Sequence, residues 1–138
     1  MGHARGVKRS IDDVDRMAAA VTGREQSIFQ DALVQQWPAL QERISGRTVL
    51  VTGAGGFIAT ATLRVLLSLQ PATLVLVDMD ENRLAELIRT LRTEDLVPTS
   101  TRVEPRLVDI TTALSDRLLA SVPAVDTCLH FAAAKHVR

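Results

Sequence analysis

Thr48-Val49-Leu50-Val51-Thr52-Gly53-Ala54-Gly55-Gly56-Phe57-Ile58-Ala59 sets a short apolar, β-branched run ahead of a glycine turn, and an apolar helical pattern leaves it. A parallel sheet delivers a strand into a helix in this way, with the helix N-terminus facing an anion. Gly53 allows a tight turn. Gly56 lets backbone approach a pyrophosphate without a Cβ in the way. Ala59 supplies the small residue that lets helix and strand pack closely. The unpaired N–H groups and partial positive charge of the helix end favour the anion. The same spacing also suits a glycine-rich turn with no ligand, so the neighbouring elements decide between the two.

Downstream, strand and helix patterns alternate. Thr48–Val51 reads as the first strand, and a helix over about Gly56–Gln70 carries Ile58, Leu63, Leu66 and Leu67 until Pro71 closes it. Thr73–Val77 is a continuous apolar run, as in a strand covered on both faces. Asp80–Leu96 reads as a helix with Leu84, Leu87, Ile88 and Leu91 inward. A third strand is expected near Arg102–Val108. Thr111 or Thr112 is expected to cap a short helix with Leu114, Leu118 and Leu119, and a fourth strand covers about Thr127–Phe131. Repeated βα units predict an α/β fold with a parallel sheet of about four strands and right-handed crossovers.

Upstream, the pattern is helical. Ser10 can cap a helix through Ile11, Val14, Met17 and Ala18, with Gly23 as its stop. Ser27 and Gln30 have capping-box spacing ahead of Ile28, Phe29, Leu33 and Trp37, one amphipathic face of packing residues. Pro38 is expected to interrupt this helix and start another turn holding Leu40 and Ile44. Ser45-Gly46 separates the preface from the first strand.

Three further features fall at strand C-terminal ends, where open α/β sheets bind ligands. Asp78 ends the second strand, 25 residues after Gly53, near the spacing of a ribose-binding acid. A carboxylate there accepts hydrogen bonds from ribose hydroxyls and repels a 2′-phosphate, favouring NAD over NADP; the alternative is an acid that caps the loop or the next helix. Arg83 complicates the choice, since a guanidinium can hold a 2′-phosphate, although a solvated helix position is its plainer role. Asp109 follows the third strand and can accept from an adenine amino group while Ile110 covers the ring; otherwise it is an acid near a helix start. Ala132 and Ala133, after the fourth strand, let a cofactor ribose approach closely, or form an ordinary small-residue turn.

The bulk numbers bound the partners. Lys+Arg and Asp+Glu both count 16 in 138 residues, so no basic excess points to nucleic acid or an anionic membrane. The single Cys128 rules out an internal disulfide and fits a reducing cytoplasm. Met1–Ser10 is polar and basic with no apolar segment after it, so no secretory signal is read. No stretch reaches the roughly 20 apolar residues of a membrane span. Cys128 and His130 alternate along the fourth strand and are expected to be buried, with no ligand pair for a metal.

The ordered set resembles the extended short-chain dehydrogenase/reductase superfamily, and within it the CapD-type polysaccharide biosynthesis proteins, which include UDP-N-acetylglucosamine 4,6-dehydratases. Thr52–Ala59 is similar to that family's TGxxGxxG pattern, with Ala59 for the last glycine. His130-Phe131-Ala132-Ala133-Ala134-Lys135-His136-Val137 is similar to its HAAxxKHV-like segment, and Gly23-Arg24-Glu25 to the stretch before its dinucleotide domain. Phe131 replaces a small residue and Arg138 stands where proline is common.

The resemblance implies a Rossmann fold over residues 47–138 behind a helical extension, residues 1–46. It implies NAD, or alternatively NADP, held by Gly53, Gly56, Phe57 and Ile58 at the pyrophosphate, Asp78 at the adenosine ribose, Asp109 and Ile110 at adenine, and Ala132 and Ala133 at the nicotinamide-side ribose. Lys135 and His136 would sit beside a nucleotide-diphosphate sugar. A homo-oligomer is also in keeping with the family.

The family's oxidation needs a Tyr-x-x-x-Lys pair, in which Lys lowers the Tyr pKa so that phenolate acts as base. The sequence contains no Tyr. No catalytic residue is therefore assigned, and the chain is expected to be the N-terminal part of a longer enzyme, with more strands and a sugar-binding region downstream. A different class stays open at this point: a stand-alone, non-catalytic NAD(H)-binding sensor or regulatory module.

Overall fold

The computed structural model describes residues 30–122 and 124–133. Its contacts divide the chain into two units, Met1–Glu42 and Arg43–Arg138. The element order is α1 (Gln30–Ile44), β1 (Thr48–Thr52), α2 (Phe57–Ser68), β2 (Thr73–Asp78), α3 (Glu81–Thr93), β3 (Arg102–Leu107), α4 (Leu114–Ser121) and β4 (Thr127–His130). The expected helix behind Ser10, the Ser27 capping box and the Gly23-Arg24-Glu25 triplet lie outside the described residues.

Helix α1 continues past Pro38, against the expectation of a break there. Proline removes one N–H donor and orphans one carbonyl, four residues back. That carbonyl belongs to Val34, whose side chain is 68% exposed, so water can take the place of the lost donor.

In the second unit the four strands are all parallel, in the order β3-β2-β1-β4. The chain moves outward from β1 through β2 to β3, then returns to the other side of β1. Right-handed crossovers place α2 and α3 on one face and, because the direction reverses, α4 on the other. The side-chain alternation agrees. Leu50, Val75 and Val77 cluster with Leu118 and Val122 from the α4 side. Val49, Val51, Leu74 and Leu76 point the opposite way and are entirely buried. Leu63 and Leu67 of α2 and Leu84, Leu87 and Leu91 of α3 are buried with them. Each such leucine contributes about 1.5–3 kcal/mol by leaving water.

Helices α2 and α3 each end in a left-handed residue, the position glycine usually takes. After α3, Asp95 has φ 51, and the amides of Asp95 and Leu96 reach back to the carbonyls of Arg92 and Leu91. After α2, Gln70 has φ 56 and bonds to Leu67. Pro71 follows, has no amide to offer, and stops the helix.

The outer strand β3 carries Pro105, which an edge position tolerates. Glu104, on the same strand, is almost fully buried between Arg102 and Arg106 and pairs with both. Its two partners compensate the charge that burial would otherwise penalise.

Two local expectations are corrected. The cap position of α4 is held by Ala113, with no side-chain bond, rather than by a threonine. The Thr111 hydroxyl instead donates to Asp109 Oδ1 and the Thr112 hydroxyl to the Asp109 carbonyl, so both are turned upstream. Cys128 and His130 are exposed, not buried. Their register partners are Leu50 and Thr52, which puts them on the α4 face. The α4 cluster covers β1 and β2 there, and among the described residues nothing covers the same face of β4.

Candidate functional site

The strand order makes a switch point between β1 and β4, where successive connections depart in opposite directions and a crevice opens beyond the strand tips. Gly53 forms one wall. Its φ is 67, and a Cβ there would lie 2.6 Å from the Ala132 nitrogen and 2.7 Å from its Cα. The Phe131 amide donates to the Thr52 carbonyl at 2.9 Å. The turn after β1 and the tip of β4 are thus seated backbone against backbone.

Gly56 is the N-cap of α2, in extended conformation and with no side chain to offer. Its amide turns back to the Gly53 carbonyl at 3.0 Å, and the first helical bond is Thr60 N–H to the Gly56 carbonyl. The amides of Phe57, Ile58 and Ala59 therefore receive no capping side chain, and the first turn of α2 holds no acid. Helix α3 is the contrast: Asp80 accepts from the amides of Asn82 and Arg83, and Glu81 adds negative charge to the first turn. One helix start is satisfied from within; the other presents donors and positive potential to the crevice.

Asp78 ends β2 and ties two loops together. Its Oδ2 accepts the Gly55 amide at 2.8 Å and its Oδ1 accepts the Asp80 amide at 3.0 Å. It does not cap α3. A carboxylate has about four acceptor sites, so a further donor can still be taken. Asp109 lies beyond β3, where its Oδ1 accepts from the Thr111 hydroxyl at 2.7 Å and the Thr111 amide at 2.9 Å. The hydroxyl first, then the amide, hold its carboxyl below the usual carboxylate range.

These groups surround one cavity of about 990 Å³ at the strand tips, near the upper end of small-ligand sites. Gly53, Gly56, Phe57, Ile58, Asp78, Asp109, Ile110, Ala132 and Ala133 all line it. Phe57, Ile58 and Met79 are 91%, 65% and 70% exposed at its mouth, so apolar surface stands ready for a partly apolar ligand. Lys135 and His136 lie outside the described residues. A smaller hollow of about 510 Å³ lies between α3 and β3, lined by Leu84, Ile88 and Pro105 among others, away from the β1 and β4 tips.

Sequence reasoning passed over two contributors. Gly55 sits at a variable position of the motif, yet a Cβ on it would meet Arg83 Cβ at 2.6 Å and Asp78 Oδ2 at 3.2 Å. Three glycines within four positions was the available clue. His130 lines the cavity, with its Nδ1 2.6 Å from the Thr52 hydroxyl. Its place on a strand tip beside the alanines could have marked it.

Among the described residues, no three His, Cys, Asp or Glu side chains gather to hold a metal. No helix among them is long and apolar enough to cross a membrane.

A family model for polysaccharide biosynthesis proteins matches residues 49–138. An uncharacterized membrane protein of Methanocaldococcus jannaschii is 33% identical over 91 residues, which are 66% of this chain and 25% of that protein. The chain thus spans a quarter of the length of this curated relative. Among solved structures, an oxidoreductase from Escherichia coli matches 67% of the chain over 38% of its own length, with 22% identity and TM-score 0.50. A short-chain type dehydrogenase/reductase from Mycobacterium ulcerans matches 67% over 34%, with 23% identity and TM-score 0.51. A short-chain dehydrogenase from Shigella flexneri, solved in complex with NADP, matches 67% over 39%, with 22% identity and TM-score 0.50. These structural likenesses carry the Rossmann-type fold.

Proposed function

This chain belongs to the polysaccharide biosynthesis protein family, and on that premise we propose that it is the dinucleotide-holding portion of a nicotinamide-dependent nucleotide-sugar 4,6-dehydratase or epimerase. The observation that carries the reading is the convergence of the glycine turn, Asp78, Asp109 with Ile110, and Ala132 with Ala133 on one crevice. The crevice fits such a ligand chemically. The uncapped start of α2 suits a pyrophosphate, with Gly56 leaving the approach open. The Asp78 carboxylate, already fixed by two amides, suits ribose hydroxyls and favours NAD over NADP. Asp109 suits an adenine amino group, with Ile110 against the ring. Ala132 and Ala133 leave room for the second ribose, and Lys135 and His136 are assigned to the sugar nucleotide.

When bound, the nicotinamide supplies hydride acceptance from a sugar carbon and its later return. The residues of this chain bind and orient. With no tyrosine in the sequence, the proton-abstracting phenolate of the family reaction is not among them.

The test is Gly56→Val. Gly56 has φ −73 and ψ 155, which valine adopts freely, and a Cβ there meets only the Gly53 carbonyl at 3.1 Å. The fold should survive while the approach is blocked. Isothermal titration with NAD+ is expected to show at least about a tenfold loss of affinity, about 1.4 kcal/mol. Unchanged affinity, or a folded wild-type chain that binds no dinucleotide, would remove the assignment.

A further inference from the structure

Helix α3 carries a stripe that its buried side does not use. Leu84, Leu87 and Leu91 are the buried side. Glu81, Ala85, Ile88 and Arg92 follow one another at the alternating spacing of a helix–helix seam, and all four line the hollow between α3 and β3. Glu81, Ala85 and Arg92 are exposed and Ile88 is half-buried. Pro105 and the exposed Leu107 of β3 form the opposite wall. The hollow is apolar in its middle, with an acid at one end and a base at the other, about 16 Å apart along the helix axis. They are too far apart to pair with each other. Among the described residues, neither side chain has an ion-pair or hydrogen-bond partner.

The stripe is its own complement when reversed. Turned end for end, it sets Glu81 against Arg92 and Ala85 against Ile88, because alternate seam positions meet in an antiparallel helix pair. We propose that the α3–β3 face receives a second copy of this chain, with the two α3 helices antiparallel about a two-fold axis. Such an interface is isologous, so every contact is made twice. The small Ala85 of each copy leaves room for Ile88 of the other, and these apolar contacts supply the affinity. Exposed ion pairs hold weakly, so the two Glu81–Arg92 pairs fix the direction. A parallel arrangement sets like charges against each other at both ends and is repelled. Strand addition is blunted at the same edge. The Arg102 amide donates to the Ala72 carbonyl and the Val108 amide to the Asp78 carbonyl, so even-numbered amides of β3 face β2 and position 105 faces outward. Pro105 offers no N–H there. The helix, not the strand edge, is the surface that meets the second copy.

The experiment measures the mass of the 138-residue chain by sedimentation equilibrium, at concentrations of about 1–300 µM, where weak interfaces assemble. Wild type, Glu81→Lys, Arg92→Glu, an equimolar mixture of those two variants, and Ala85→Arg are compared, with far-UV circular dichroism as the check on folding. Wild type is expected to dimerise. Each charge reversal acts at both symmetry-related contacts and is expected to weaken the dimer at least about tenfold. The mixture brings opposite charges together at both contacts and is expected to return to about wild-type affinity, as a heterodimer. Ala85→Arg places a charge in the apolar centre, at an exposed position that folding tolerates, and is expected to be monomeric whether or not the two reversals fold. A wild type that stays monomeric throughout overturns the proposal. So does any folded variant that dimerises as tightly as wild type by itself. A mixture no tighter than its components overturns the antiparallel register and the proposal with it.

Discussion

Gly53 and Gly56 are indistinguishable as letters in a motif, and the structure separates them. Gly53 is required by the fold: its φ is 67 and the backbone of Ala132 occupies the space of any Cβ. Gly53→Ala should cost about 3 kcal/mol, from the left-handed penalty plus displacement of β4, and lower the urea midpoint clearly. Gly56→Val, whose Cβ meets the Gly53 carbonyl at 3.1 Å, should lower that midpoint by less than Gly53→Ala does. Asp109 offers a second residue-scale check. Its folded pKa is depressed by the Thr111 hydroxyl and amide, so the stability it lends is present above the unfolded carboxylate range and lost as pH falls through the folded value. Thr111→Val removes the hydroxyl and should move the Asp109 titration upward, toward its ordinary range, by NMR. A midpoint that stays put would show that the hydroxyl is not the cause. The places of Asp78 and Asp109 beside the cavity were legible in the sequence, because each follows a stretch that reads as a strand. Gly55 was not, because its need comes from Arg83, a residue 28 positions away.

At the scale of elements, the period of the apolar residues was enough to find every strand and helix of the βα series. Thr73–Val77 is a continuous run because both faces are covered. The helix over Glu81–Thr93 has its buried leucines at helical spacing. What failed was what depends on water and on side-chain choice. Pro38 breaks no helix because the orphaned carbonyl lies on an exposed turn. The N-cap of α4 is Ala113, and the hydroxyls of Thr111 and Thr112 donate upstream to Asp109. Leu63, 1% exposed in α2, belongs to the face packed against the sheet. Leu63→Ala should cost about 2–5 kcal/mol in chemical denaturation. A loss below about 1 kcal/mol would mean that α2 is less firmly seated than its burial indicates.

Over the whole molecule, the reversal between β3 and β4 is what gathers the strand tips. The parallel sheet could be read from the repeated βα units, but the exposure of one face of β4 could not. That exposure follows from where α4 packs, over β1 and β2, which only topology decides. Cys128 is therefore accessible, and the folded chain should react with a thiol reagent at one cysteine within minutes, without denaturant. Protection of that thiol until unfolding would show that this face is covered in solution. The seating of Gly53 on Ala132 has a further reach. The turn assigned to the phosphate and β4, the outer strand on that side among the described residues, have no slack between them, so they form a single mechanical linkage. A load that lifts the outer strand must open the turn, and an occupant that stiffens the turn must brace the strand.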